Sequence, residues 1–109
     1  MTLKLSGAID LRHSPKLRRL LRMKACARTP ALLLDFTEVS RIDSSGLATL
    51  MEYYQHAQSF GGRLALAGLT GRVQSLFYLV RFSEIFPIHS SIDEALQALE
   101  QAPSEQNPL

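Results

Sequence analysis

Short apolar runs alternate along this chain with segments of helical period, and that alternation limits the fold more than any other feature. Thr2 to Ile9 sets polar Thr2, Lys4 and Ser6 against Leu3 and Leu5, the pattern of a half-buried strand. Ser14-Pro15 reads as a helix start, with Ser as cap and Pro at the first helical position. Leu17, Leu20 and Leu21 then share one face, and Thr29-Pro30 ends the helix. Ala31 to Phe36 is a short apolar run before a polar break, and predicts a strand buried on both faces. Leu47, Leu50, Met51 and Tyr54 follow at i, i+3, i+4, i+7 and predict a helix from about Ser45 to Phe60, closed by Gly61-Gly62. Arg63 to Ala67 is a third strand, and Val73, Leu76, Phe77 and Val80 repeat the helical spacing. Ile85 to Ile88 is expected as a short fourth strand, which Pro87 marks as an edge. Ser91-Ile92-Asp93-Glu94 is a capping box opening a last helix with Ile92, Ala95, Leu96 and Leu99.

Strands alternating with helices imply a mostly parallel sheet, here four-stranded and flanked by helices, in a single α/β domain. The length of 109 residues fits one domain, expected over 1–101, with a Pro-, Ser- and Gln-rich tail over 102–109 expected to be disordered. Leu47, Leu50 and Met51 are expected to pack on Leu33 and Leu66.

Several chemistries are excluded by what the chain lacks. His13, His56 and His89 sit in unrelated elements without metal-ligand spacing, and the single Cys26 provides neither a disulfide nor a cysteine cluster. There is no phosphate-binding glycine loop. The turn Ile42-Asp43-Ser44-Ser45-Gly46 lacks the first glycine of a nucleophile elbow, so a hydrolase using Ser44 or Ser45 is poorly supported. No apolar run approaches the ~18–20 residues needed to span a bilayer. The lone cysteine and the absence of a signal peptide point to a soluble cytoplasmic protein. Arg12, Lys16, Arg18, Arg19, Arg22, Lys24 and Arg28 are seven of the twelve cations, with no acid between Asp10 and Asp35. They lie opposite Leu17, Leu20 and Leu21 and lack aromatics to stack on bases, so the segment reads as a solvated or protein-facing helix surface rather than a nucleic-acid site.

The remaining candidate is Asp43-Ser44-Ser45-Gly46 at the start of the second helix. Asp43 or a following serine is suited to cap that helix and need do nothing else. A helix start also tolerates a phosphate, which on a serine would add about −1.5 to −2 charge beside Asp43.

In its details the chain resembles a STAS domain, the family of anti-sigma factor antagonists. Leu5-Ser6-Gly7-Ala8-Ile9-Asp10 and Ser14-Pro15-Lys16-Leu17 resemble the family's opening. Leu33-Leu34-Asp35-Phe36, Val39 and Ile42-Asp43-Ser44-Ser45-Gly46-Leu47 are similar to its central signature. Gly61 to Leu66, Arg72 to Phe77, Phe86-Pro87-Ile88 and Glu94-Ala95-Leu96 complete the likeness over residues 3–99. The resemblance implies no catalytic activity and no cofactor. It implies binding to an anti-sigma factor that is itself a serine kinase, switched by phosphorylation of the serine after the Asp. That residue is Ser44 here, with Ser45 the second choice. The implied docking face is Asp10, Asp43, Ser44, Ser45, Gly46, Ala48 and Thr49.

Three departures stand out. The family's leading strand has no counterpart before Leu3 to Ile9, which would leave a sheet edge open to a partner or to a second copy as a homodimer. Ala8 stands where members often carry Glu, and Arg81 where a Gly commonly closes the third helix. The alternatives implied by the same family are a small subunit docking on the ATPase of a lipid-transport ABC system, or a stress-signalling scaffold.

Overall fold

A computed structural model describes residues 1–100; the expected tail over 102–109 lies outside the described residues. Four strands, β1 (Thr2–Ile9), β2 (Ala31–Ile42), β3 (Arg63–Ala67) and β4 (Ile88–His89), alternate with four helices, α1 (Ser14–Cys26), α2 (Ser44–Phe60), α3 (Gly71–Leu79) and α4 (Ile92–Glu100). All strand pairs are parallel and the sheet order is β1-β2-β3-β4, so β1 and β4 are its edges. Because each strand is followed by a helix returning to its start, chain order and sheet order coincide.

The two faces of the sheet are covered unequally. Leu32, Leu34, Phe36, Leu64 and Leu66 face a large core shared with Leu17 and Leu21 of α1, Leu47 and Leu50 of α2, and Val73 and Phe77 of α3. The opposite face is a thin layer in which Leu33, Ala65 and Ala67 meet Ala95 of α4, with Ile92 and Leu99 at its border. Small side chains on both sides let α4 approach the sheet closely. Leu47, Leu50 and Met51 therefore pack in the Leu66 core as expected, but Leu33 does not join them: the alternation of the strand turns it to the α4 face.

Several boundaries differ from expectation. β2 runs to Ile42, twice as far as the apolar run suggests. Its pairing with β1 shifts register twice, Lys4↔Asp35 to Ser6↔Glu38 and Gly7↔Val39 to Ala8↔Arg41, each time with one more residue on β2. These bulges turn the buried period from two to three, so Phe36, Val39 and Ile42 point inward and the stretch reads as a break. Ser14 is not the cap of α1 but lies within it, buried, while Asp10 serves that end: its carbonyl accepts from the N–H of His13 (3.0 Å) and of Ser14 (2.7 Å). The expected strand at Ile85 to Ile88 is displaced: a 3₁₀ turn, Phe82–Glu84, capped by Ile85, fills its approach, and β4 is only Ile88–His89. Arg81 itself adopts the left-handed conformation (φ 64°) that a glycine would take after α3, so the helix closes the same way with a strained residue. At α4, Ser91 Oγ accepts from the Glu94 N–H (3.1 Å) as a capping box requires, but the Glu94 carboxylate is met by the Ser90 hydroxyl (2.9 Å).

Candidate functional site at the start of the second helix

β1 and β2 deliver Asp10 and Asp43 to the same end of the sheet, where Ile9 pairs with Ile42. Asp43 is the N-cap of α2, in extended conformation. Its Oδ1 accepts from the N–H of Ser45 (2.9 Å), the N–H of Gly46 (3.2 Å) and the hydroxyl of Ser45 (2.6 Å). Its Oδ2 accepts from the Leu11 N–H (3.2 Å), and its own N–H donates to the Ile9 carbonyl (3.1 Å). The carboxylate thus caps one helix and ties down the β1–α1 loop. The Ser45 hydroxyl, then the N–H groups of Gly46, Ser45 and Leu11, hold its pKa below the usual carboxylate value.

Asp10 forms a second anchor beside it. Its Oδ1 lies 2.7 Å from His13 Nδ1 and accepts from the N–H groups of Arg12 (3.1 Å) and His13 (3.2 Å), while its Oδ2 accepts from Arg41 (3.1 Å). The hydrogen bond from the His13 ring, followed by that from Arg41, lowers its pKa to about 2. With both lone-pair faces in use, Asp10 and Asp43 act as struts of the loop Asp10–His13.

Between these struts the two serines differ. Ser45 is partly buried; its hydroxyl donates to Asp43 and accepts from Ser14 Oγ (3.2 Å). Ser44, the first residue of α2, is exposed, and its hydroxyl takes part in no hydrogen bond among the described residues. Of the other expected docking positions, Ala48 is exposed one turn on. Gly46 and Thr49 are buried and offer no surface to a partner. The Thr49 hydroxyl donates to the Ser45 carbonyl (2.9 Å), as expected of a threonine facing its own helix. At Gly46 a Cβ would meet Ile42 Cγ1 and Ile9 Cγ2 at 2.7 Å and the Ile9 carbonyl at 2.8 Å, so its role is close packing of α2 on β1. The accessible surface is accordingly Asp43, Ser44 and Ala48, with Asp10 at its margin.

A family model for the STAS domain matches residues 1–95. The chain belongs to the STAS domain family. The anti-sigma-B factor antagonist of Listeria monocytogenes is 31% identical to it over 83 residues, which cover 76% of this chain and 73% of the relative. A solved anti-sigma factor antagonist from Mycobacterium paratuberculosis aligns with a TM-score of 0.84 at 24% identity, over 92% of this chain and 85% of that one. The phosphorylated form of the Bacillus cell fate determinant SpoIIAA aligns with a TM-score of 0.68 at 16% identity, over 90% and 88% of the two chains.

In this STAS domain three contributors to the site escape a reading of sequence alone. Arg41 lies in the stretch that reads as a break, so its place opposite Ala8 depends on the two bulges. Leu11 and Ser14 act through a backbone N–H and a buried hydroxyl, and neither leaves a pattern in the residue string. Asp10 followed three residues later by His13 at the entrance to a helix is a local signal that was available. Among the described residues no group of His, Cys, Asp and Glu could hold a metal ion, and no helix is long and apolar enough to cross a membrane.

Proposed function

We propose that this STAS domain is a non-enzymatic cytoplasmic binding module of the anti-sigma factor antagonist type, docking an anti-sigma factor through the surface at the start of α2. Phosphorylation of Ser44 by that partner, acting as a serine kinase, switches the docking off. The observation that carries this reading is the contrast between the two serines: Ser44 is exposed with a free hydroxyl at the first position of a helix, while Ser45 is tied to Asp43 and Ser14. A kinase can reach the first without disturbing the fold. A phosphate there would face the N-terminal end of α2, whose partial positive charge favours an anion. The Asp43 carboxylate already occupies the N–H groups of Ser45 and Gly46, so the added charge would be directed outward at a docking partner. The naming of the Listeria relative as an anti-sigma-B factor antagonist and the phosphorylated state of the Bacillus structure support the same reading.

The test is incubation with the cognate serine kinase and ATP, followed by mass spectrometry of the modified peptide. The expected result is one phosphate on Ser44, absent from Ser44→Ala and retained in Ser45→Ala. Phosphate elsewhere, or none, overturns the switch. Copurification with an ABC-transporter ATPase, equal for wild type and Ser44→Asp, would assign the module to transport instead.

A further inference from the structure

Helix α1 and its flanks carry more cations than the helix's own stability or the site at α2 uses. Residues 11–34 hold seven Lys or Arg and no Asp or Glu. Two of the seven, Arg18 and Arg22, are met by Glu52 of α2 at 3.1 and 2.8 Å. The other five, Arg12, Lys16, Arg19, Lys24 and Arg28, take part in no ion pair among the described residues. Lys16 and Arg19 stand three residues apart on the outward side, and Met23 extends that line, also exposed. Helix energetics account for Lys24, a cation in the last turn, but not for Lys16 and Arg19. The first turn holds no acid, Lys16 sits at the positive end of the helix dipole, and cations three and four residues apart repel. The helix forms because Leu17 and Leu21 are buried, in spite of its outer charges.

The Arg12 end of the ridge adjoins the loop at the start of α2. Ser14 Oγ donates to Ser45 Oγ, so the first turns of α1 and α2 touch, and Asp43 holds the Leu11 N–H next to Arg12. We infer that the cationic ridge Arg12–Lys16–Arg19 is a docking surface for an acidic protein segment, continuous with the start of α2. The inference rests on Ser44 as the switched position: a phosphate there, directed outward, adds negative charge beside the docking surface and repels the partner's carboxylates. Charge complementarity selects an anionic partner and speeds its encounter. Two observations favour protein over other polyanions. Residues 11–35 contain no Phe, Tyr or Trp for base stacking. The apolar stripe of α1 is turned into the core, leaving only Leu11 and Met23 exposed along the ridge to enter a bilayer surface.

The experiment is an NMR titration of the full, isotope-labelled chain with a synthetic Glu-rich peptide. Phosphatidylglycerol-containing vesicles and duplex DNA are titrated in parallel at the same salt. The peptide is expected to saturate, to shift the amides of Arg12, Lys16, Arg19 and the first turn of α2, and to weaken as salt rises. Lys16→Glu with Arg19→Glu should lower its affinity at least about tenfold, and the milder Lys16→Gln with Arg19→Gln should give an intermediate loss. Arg72→Glu on α3 should leave affinity within about twofold. Shifts scattered over cations outside α1, no saturation, or tighter binding to the vesicles or DNA would overturn the assignment. Phosphate incorporation at Ser44 is read separately by mass. A failed peptide titration with intact phosphorylation removes the ridge and spares the switch, and the opposite pair of results does the reverse.

Discussion

Replacing Gly46 by Ala sets two effects of opposite sign against each other at the candidate site. Gly46 lies in the first turn of α2, where helix propensity alone would make Ala the better residue by up to about 1 kcal/mol. The added methyl, however, would sit 2.7 Å from Ile42 Cγ1 and Ile9 Cγ2 and 2.8 Å from the Ile9 carbonyl oxygen. Neither isoleucine atom is the free end of a flexible side chain, and both residues are buried. The Ile9 carbonyl is held as acceptor of the Asp43 N–H. Relief therefore requires α2 to move off β1. Overpacking of this kind destabilises by about 1–3 kcal/mol, which offsets the propensity gain and leaves a net loss of up to about 2 kcal/mol. In a domain of this size each kcal/mol lowers Tm by about 4–8 °C. Urea unfolding followed by circular dichroism should show a lower midpoint at unchanged slope. The Leu11 amide, held by Asp43 on the displaced helix end, should exchange faster with solvent. A variant more stable than the parent would refute the close approach of α2 to β1.

Three further outcomes follow from particular residues. Leu50 is wholly buried in the main core, and Leu50→Ala should cost about 2–5 kcal/mol in the same urea assay; a change under 1 kcal/mol would mean the α2 face is misassigned. Arg81 holds a left-handed backbone, so Arg81→Gly should raise stability by about 0.5–1 kcal/mol once the greater freedom of unfolded glycine is subtracted, and a loss would show that its side chain matters more than its strain. Asp10 has its pKa lowered from 3.8 to about 2, so its contribution is complete above pH ~4 and is lost as pH falls towards 2. Asp10→Asn should flatten the decline in Tm across that window, and a decline identical to the parent's would show the His13 and Arg41 contacts to be without effect.

The order of strands and helices was legible because burial imposes its period on the sequence wherever an element keeps a regular register. Arg63–Ala67 and the helix of Leu47, Leu50 and Met51 are examples. Legibility failed where the backbone departs from that register. β2 lost its period-two signal at two bulges, and with it the position of Arg41. Alternation also decides which face a strand residue takes, but an unbroken apolar run such as Leu32-Leu33-Leu34 carries no mark of which face α4 will cover. At the site, a cap at Asp43 or a following serine came from residue type and spacing, whereas Ser44 as the switched position is what the family resemblance implies. The division of labour between Ser44 and Ser45 needed coordinates, because it depends on a buried Ser14 hydroxyl from another helix. The same holds for Gly46 and Thr49, which the resemblance implies for docking and packing assigns to the interior.

The central claim is that docking at the start of α2 is controlled by the charge on Ser44. The most direct measurement is the affinity of the cognate anti-sigma factor for this chain in its unmodified form and in its form phosphorylated on Ser44, by titration calorimetry at physiological salt. The account predicts binding by the unmodified chain and by Ser44→Ala, and a loss of at least about tenfold, 1.4 kcal/mol, on phosphorylation. Equal affinities for the two forms would contradict it.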